Sequence, residues 1–439
     1  MHSRTLAVWA CAALAGIWAA RPAGAAGFGI QEHSAAQMGT AYAGAAAAGE
    51  DAAALADNPA AIARLTTPQI VVNGTLALPN LPFSSTGSTL PTGAPIRGPN
   101  DDGGTPALLP NFFWAAPVWD GLHVGFGLLP SFGLATDYQG FWVGRYNAQA
   151  SDLTSLDLAP TVAYRVVPGL SVGFSPVARY TKVKFTNAVD FGSVGAALGI
   201  PGAVPGANDG TAKLKVSGWS FAFNGGVLLE PTDTTRIGVA YFHSDAARVT
   251  GSVQFGLSPV GSVISVATGA FTPADASSLI GYPDHATVGI VQSLTPELDL
   301  RAGATWTQWS SFKQELITFS NPAQAPSLMV ENWRDTIALG LGTTYRVDPV
   351  LVLRAGLSYD QTPVPDPAHR DARLPDSSRY GVAVGCGYSL TDSTSIDLAY
   401  EHLFGGSAGL NVTTATGDRI VGTTRLSADL VALQVNVRY

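Results

Sequence analysis

The spacing of the apolar residues constrains this chain more than any other feature. In "GWSFAFNGGVLL", residues 218–229, Trp219, Phe221, Phe223, Val227 and Leu229 fall on one face of an extended chain. Ser220, Ala222, Asn224 and Gly226 fall on the other. The same period runs through "RIGVAYF" with Ile237, Val239 and Tyr241, and through "SIDLAYEH" with Ile396, Leu398 and Tyr400. The minority faces are polar or tiny, and in three segments they carry Asp299, Arg301, Arg354, Asp397 and Glu401. Each segment is about ten residues long, the length a tilted strand needs to cross a bilayer.

Alternation alone fits a soluble sandwich equally well, with the large residues turned inward. Composition separates the two. Only 13% of the 439 residues are Asp, Glu, Lys or Arg, about half the usual share, and a soluble surface so poor in charge would self-associate. Beyond the opening positions, no window reaches the roughly 18 apolar residues of a spanning helix. Those opening positions read as an export signal over 1–25. Arg4 supplies the positive start, "LAVWACAALAGIWAA" the apolar centre, and Ala23, Gly24 and Ala25 the small residues before cleavage. Cys11 follows too little apolar sequence for a lipoprotein signal, and Cys386, alone in the mature chain, reads as a small apolar strand residue.

Turn lengths give an orientation. "VVPG", "EPTDTT", "LTPELD", "RVDP" and "LTDST" are short turns, whereas the alternate connections, such as 186–212 and 251–285, are long. Short turns inside and long loops outside is the pattern of outer-membrane barrels. The ending "LVALQVNVRY" fits a closing strand, with Val431, Leu433, Val435, Val437 and Tyr439 toward lipid and Gln434, Asn436 and Arg438 toward the lumen. The expected fold is all-β, a transmembrane antiparallel barrel over 67–439 in the outer membrane of a Gram-negative bacterium. Residues 26–66, including "GEDAAALADNPAAIARL", do not alternate. Irregular backbone cannot lie against lipid, so this segment is expected inside the barrel as a plug of short helices. At Asn58-Pro59 the simpler alternative is a helix stop before the first strand.

These residues resemble the FadL/OmpP1/TodX family of outer-membrane transporters along the mature chain. The matching stretches run in order: "AGFGIQEHSAAQMGTAYAGAAAAGEDAAALADNPAAI", "PSFGLATDY" (130–138), "VGRYNAQASDLTSLDLAPTVAYRV" (143–166), "TWTQWSSF" (305–312), "RAGLSYDQTPVPD" (354–366) and "RLPDSSRYGVAVGCGY" (373–388). The resemblance implies a monomeric barrel of about fourteen strands, within the range known for such barrels. It also implies an N-terminal hatch bearing Phe28, Asn58, Pro59 and Ala60. Long-chain fatty acids, or aromatic and aliphatic hydrocarbons by the same route, would be caught by apolar loops and passed to a lumenal pocket. They would leave sideways at a kinked third strand, here Pro130, Ser131, Phe132, Gly133, Leu134 and Ala135. The terminal Tyr439 stands where the family more often has Phe, and keeps an aromatic signal for the barrel-assembly machinery.

The loops at 190–206 and 255–273 are strongly apolar, as a capture surface or a lid would be. A fatty-acid carboxylate calls for a cation in an apolar pocket. Candidates are Arg179, of lumenal parity, Lys182 and Lys184 near the external rim, and Arg334 in "NWRD". Arg179 could instead brace the hatch or pair with an acid. Met329 stands near where fatty-acid members carry a lysine, which favours uncharged hydrocarbons. No metal spacing, cofactor motif or nucleophile elbow is present, and "HSDA" at 243–246 puts neighbours on opposite faces of a strand. An enzyme is therefore not expected. The net charge of −8 and the lack of basic runs argue against nucleic acid. A general diffusion porin is the remaining rival, and a plug would separate the two.

Overall fold

The computed structural model describes residues 27–439, so the expected export signal lies outside the described residues. Fourteen antiparallel strands form one closed barrel. The first seven are β1 (Gln69–Asn80), β2 (Ala107–Trp119), β3 (Leu122–Leu129, resuming at Gly133–Asp137), β4 (Ala150–Val167), β5 (Leu170–Asp190), β6 (Asp209–Thr232) and β7 (Thr235–Ser244, resuming at Ala247–Gly256). They are followed by β8 (Ala274–Ile280, resuming at His285–Ser293), β9 (Leu298–Thr307), β10 (Thr336–Arg346), β11 (Leu351–Asp360), β12 (Arg379–Thr391), β13 (Thr394–Thr413) and β14 (Arg419–Arg438). Strand β14 pairs back onto β1, from Gln69 opposite Arg438 to Asn80 opposite Ser427. Closure pairs the first strand with the last and so removes the sheet's two terminal edges.

The alternation decides which side faces lipid. Trp219, Phe221 and Leu229 are exposed on the outer face of β6, while Ser220, Ala222 and Asn224 are buried against the lumen. Val431, Leu433 and Val435 on β14 are likewise exposed, and Gln434 and Asn436 are buried. The minority charges pair inside, Arg354 with Asp397 at 2.7 Å and Arg346 with Asp299 at 2.6 Å. One expectation is corrected. The strands are not uniformly about ten residues: β5 has 21, β6 has 24, and β13 and β14 have 20 each. Their alternation continues above the bilayer because the inner face still has an apolar interior to cover, Val183, Phe185, Leu214 and Val216 all being buried there.

Residues 27–65 lie inside the barrel. Helix α1 (Ala35–Met38) and three short 3₁₀ segments, Ala45–Ala47, Ala52–Leu55 and Pro59–Arg64, pack through nearly inaccessible alanines. Small residues on both partners let backbone lie against backbone. A Cβ on Gly238 of β7 would stand 1.8 Å from the Ala46 carbonyl oxygen, and one on Gly226 of β6 would stand 2.0 Å from Asn58 Oδ1. Asn58 does more than stop a helix. Its Oδ1 caps the next turn by accepting from Ala60 N at 3.0 Å, while its Nδ2 donates to Ala46 O at 2.7 Å and to Val227 O at 3.0 Å. Pro59 follows at a first-turn position, where its missing N–H costs nothing.

The two apolar loops fold against each other. Helix α2 (Phe191–Ala197) meets helix α3 (Pro259–Thr268) through Phe191, Val260 and Ile264, with Phe271 edge-on to Phe191 at 5.0 Å. Leu198, Val204, Val263 and Val266 remain exposed on the outside of this lid.

Candidate functional site: an aromatic chamber beside a broken strand

Strand β3 breaks where the sequence places proline and glycine. Its lower part pairs with both neighbours, and the β2 register ends at Phe112 opposite Leu128. Its upper part pairs only with β4 among the barrel strands, from Gly133 opposite Thr154 to Asp137 opposite Ala150. Pro130 has no N–H to offer the ladder. The freed groups are met by protein, as a low-dielectric setting requires. Gly133 N donates to Phe28 O at 2.7 Å, and Ile30 N donates to Ser131 O at 2.9 Å, so the hatch's first residues act as a short strand against the break. From β4, Ser155 Oγ accepts from Phe132 N at 2.8 Å. Leu134 and Ala135 are buried.

The Phe28 side chain points from this junction into an aromatic chamber. Its ring centroid lies 4.9 Å from Trp309, 5.5 Å from Phe312, 5.7 Å from Phe132, 5.9 Å from Trp333 and 6.1 Å from Tyr282. Leu153, Val183, Phe185, Leu214, Val216 and Val249 wall the same cluster. Below it, a cavity of about 150 Å³ separates the hatch from the barrel wall, touching Ser131 and Phe132 of the break and His33, Leu55 and Asp57 of the hatch.

The basic candidates occupy three different settings. Arg179 is fully buried and engaged. Its Nε and Nη2 each donate to Asp157 at 2.7 Å, Nη1 donates to Ser244 Oγ at 3.1 Å, and its guanidinium lies 4.6 Å from the Phe132 ring and 4.7 Å from that of Tyr282. Asp157 also accepts from Ser131 Oγ at 2.7 Å, so this pair braces the break. Lys182 and Lys184 share the parity of Val172 and Phe174 and stand on the outer face of β5, on the other side of the barrel wall from the chamber. Arg334 is exposed in the external loop after the chamber's Trp333 and donates to Pro365 O at 2.6 Å.

A further cation also borders the chamber. Arg373, in the loop between β11 and β12, sits 5.4 Å from the Phe185 ring, with Nη1 3.6 Å from Met329 Sδ and 2.8 Å from Asp371. Its Nε is buried without a hydrogen-bond partner among the described residues. Glu315 lies nearby on an external hairpin formed by Gln314–Phe319 and Ser327–Val330, and Glu331 directly follows it. Burial first, reinforced by neighbouring acids, pushes Glu331 up to about 8 and Glu315 up to about 7, with Arg373 opposing both. Only the place of Arg373 at the head of the stretch "RLPDSSRYGVAVGCGY" hinted at this, because its contacts are made by a loop folding back over the barrel.

Residues 16–439 match the family of outer membrane protein transport proteins (OMPP1/FadL/TodX). The chain is 29% identical over all of its length to a 47 kDa outer membrane protein of Pasteurella multocida, 98% of which is covered. It is 26% identical to the long-chain fatty acid transport protein of Escherichia coli, over 94% of this chain and 95% of that one. A crystal structure of a Pseudomonas aeruginosa FadL homologue superposes with a TM-score of 0.86 at 24% identity, covering 94% of this chain and 100% of that one. Plugged barrel, broken third strand and whole-length family match agree: this chain belongs to the OMPP1/FadL/TodX family of outer-membrane transporters of hydrophobic substrates, which are channels and not enzymes.

Proposed function

We propose that the protein takes up long-chain fatty acids by passive diffusion. The lid formed by α2 and α3 offers the first apolar surface, the Phe28 chamber the second, and the break in β3 the exit into the bilayer. The observation that carries this reading is that one segment, Phe28 to Ile30, both fills the chamber with its ring and mends the break with its backbone. A substrate chain that displaces the ring competes with the contacts that keep the strand closed. Sideways release suits an apolar ligand, because passing straight into lipid avoids re-exposing its surface to water at about 25 cal/mol per Å². The carboxylate end is read as resting at Arg373, and the kinship with a fatty-acid transporter supports that substrate class.

Uncharged hydrocarbons are the second reading, favoured by Met329 in the chamber wall and by the engagement of Arg179 with Asp157. Native mass spectrometry of the barrel purified in mild detergent separates the two. Co-purified fatty acid is the expected result, and a barrel that carries only neutral hydrocarbon would move the substrate to the second reading. Steady ion conductance of the intact protein in a planar bilayer would instead favour a general porin.

A further inference from the structure

The chain has five lysines, and four of them, Lys182, Lys184, Lys213 and Lys215, stand together. They lie on neighbouring strands β5 and β6, where Lys184 is directly opposite Lys215, Lys213 is opposite Thr186, and Lys182 is opposite Ser217. Arg248 joins them from the upper part of β7, which pairs with the same stretch of β6. Alternation turns all five outward. The residues between them, Val183, Leu214, Val216 and Val249, are buried in the chamber wall, whereas Lys182, Lys213, Lys215 and Arg248 are exposed.

This clustering is unusual in a chain with a net charge of −8. Like charges directly opposite on a ladder destabilise it unless something negative lies between or beside them. Asp152 meets Lys184 at 3.1 Å, and among the described residues Lys182, Lys213, Lys215 and Arg248 make no ion pair. The height of the patch supplies the missing partner. Going up the outer face of β6, the residues read Leu229, Val227, Gly225, Phe223, Phe221, Trp219, Ser217, Lys215 and Lys213. Ten residues separate Leu229 from Trp219, a rise of about 25 Å for a strand tilted in a barrel, which is the height of the apolar band. Trp219 and Tyr180, with ring centroids 5.1 Å apart, mark the upper girdle. The lysines begin directly above it, at the level of the outer leaflet's headgroups.

We propose that this face binds the phosphate groups of anionic lipid in the outer leaflet. The lysines and Arg248 clamp lipid-borne phosphate from the side of the barrel while the lipid's acyl chains lie along Trp219, Phe221 and Phe223. The proposal rests on the outer-membrane location and is independent of which substrate the chamber takes. It also places an anchored lipid against the outer wall of the chamber, since alternate residues of the same stretches of β5 and β6 form the two faces.

The test is lipid retention by the full-length protein in mild detergent, titrated with bisphosphorylated lipid A and followed by native mass spectrometry. The wild type should hold lipid A much more tightly than its phosphate-free form or phosphatidylcholine, and millimolar inorganic phosphate should not displace it. Changing Lys182, Lys184, Lys213 and Lys215 to Gln should weaken lipid A binding by about a hundredfold, because each cation near an anionic surface contributes separately. These side chains are exposed, and unchanged strand content by circular dichroism together with unchanged affinity for the transported ligand would show the variant folded. Equal lipid A binding by variant and wild type, or equal binding of phosphate-free lipid A, would overturn the proposal. Displacement by inorganic phosphate would do the same.

Discussion

Two arginines separate the structural from the ligand-facing role of a positive charge. Removing Arg179 leaves Asp157 buried and unpaired, which typically costs about 3–5 kcal/mol, so Arg179→Ala should lower the melting temperature and loosen the break in β3. Arg373→Ala should leave stability nearly unchanged and weaken fatty-acid binding by about 10- to 100-fold, the worth of a charge-assisted contact, with no effect on an alkane of equal length. Calorimetry on both variants with both ligands decides the matter, and equal losses for acid and alkane would make Arg373 structural. The neighbouring acids add a pH dependence. Burial keeps protons on Glu315 and Glu331 up to about 7 and about 8, so both lose charge-neutrality only as pH rises through that range. Their negative charge then competes with the ligand's carboxylate for Arg373. Fatty-acid affinity should therefore fall between pH 6.5 and 9 while alkane affinity stays flat, and a flat fatty-acid profile would remove these acids from the site. The lumenal parity of Arg179 was legible in the sequence; its partner was not, because Asp157 lies across a ladder whose register no local pattern fixes. The outward direction of Lys182 was legible too, since it stands three residues from Arg179 and odd spacing changes face.

At the level of elements, the break and the hatch act on each other. Proline at 130 and glycine at 133 announced the interruption of β3, as did the loss of alternation for the hatch. What no sequence pattern revealed is that the hatch's own start completes the broken strand, because that pairing joins Gly29 to Phe132 across more than a hundred residues. Replacing Pro130 by Val and Gly133 by Thr should restore pairing toward β2, displace Phe28 to Ile30 from the junction and slow uptake severalfold, with unchanged amounts of folded barrel. Parental uptake in a variant whose structure shows a continuous β3 would rule out the lateral exit. A bulky residue at a glycine that touches the hatch tests the plug separately. Gly238→Val puts side-chain atoms where the Ala46 carbonyl stands, so it should push the Ala45–Ala47 turn from the wall and raise single-channel conductance from near silence to measurable openings. A folded, inserted variant that stays silent would show that the hatch does not seal the lumen there.

For the whole molecule, the scarcity of charge has a spatial order. The outer band is apolar, carboxylates and arginines meet in the lumen, and most lysines gather above one girdle, so a single composition serves three solvents. The sequence made the first two regions legible through alternation, and the long upper strands less so, because a strand that leaves the bilayer keeps its period while changing what each face meets. The seam of the barrel carries a further consequence. The amide of Ala35, at the start of α1, reaches Asn73 Oδ1 on β1 and Gln434 Oε1 on β14, each at 3.1 Å, and Gln434 Nε2 also donates to Asp51 at 2.7 Å. The first and last strands thus meet over the hatch, through a contact spanning 400 positions between Ser34 and Gln434. Pairings so remote in sequence are slow to form, because the chain loses much freedom before they return any stability. A hatch already lying in the half-built lumen would hold both rims at one address and shorten that search. Closure of the barrel and the mending of β3 then draw on the same forty residues, and a chain lacking them should complete its circle late, lingering as an open sheet before its two ends find each other.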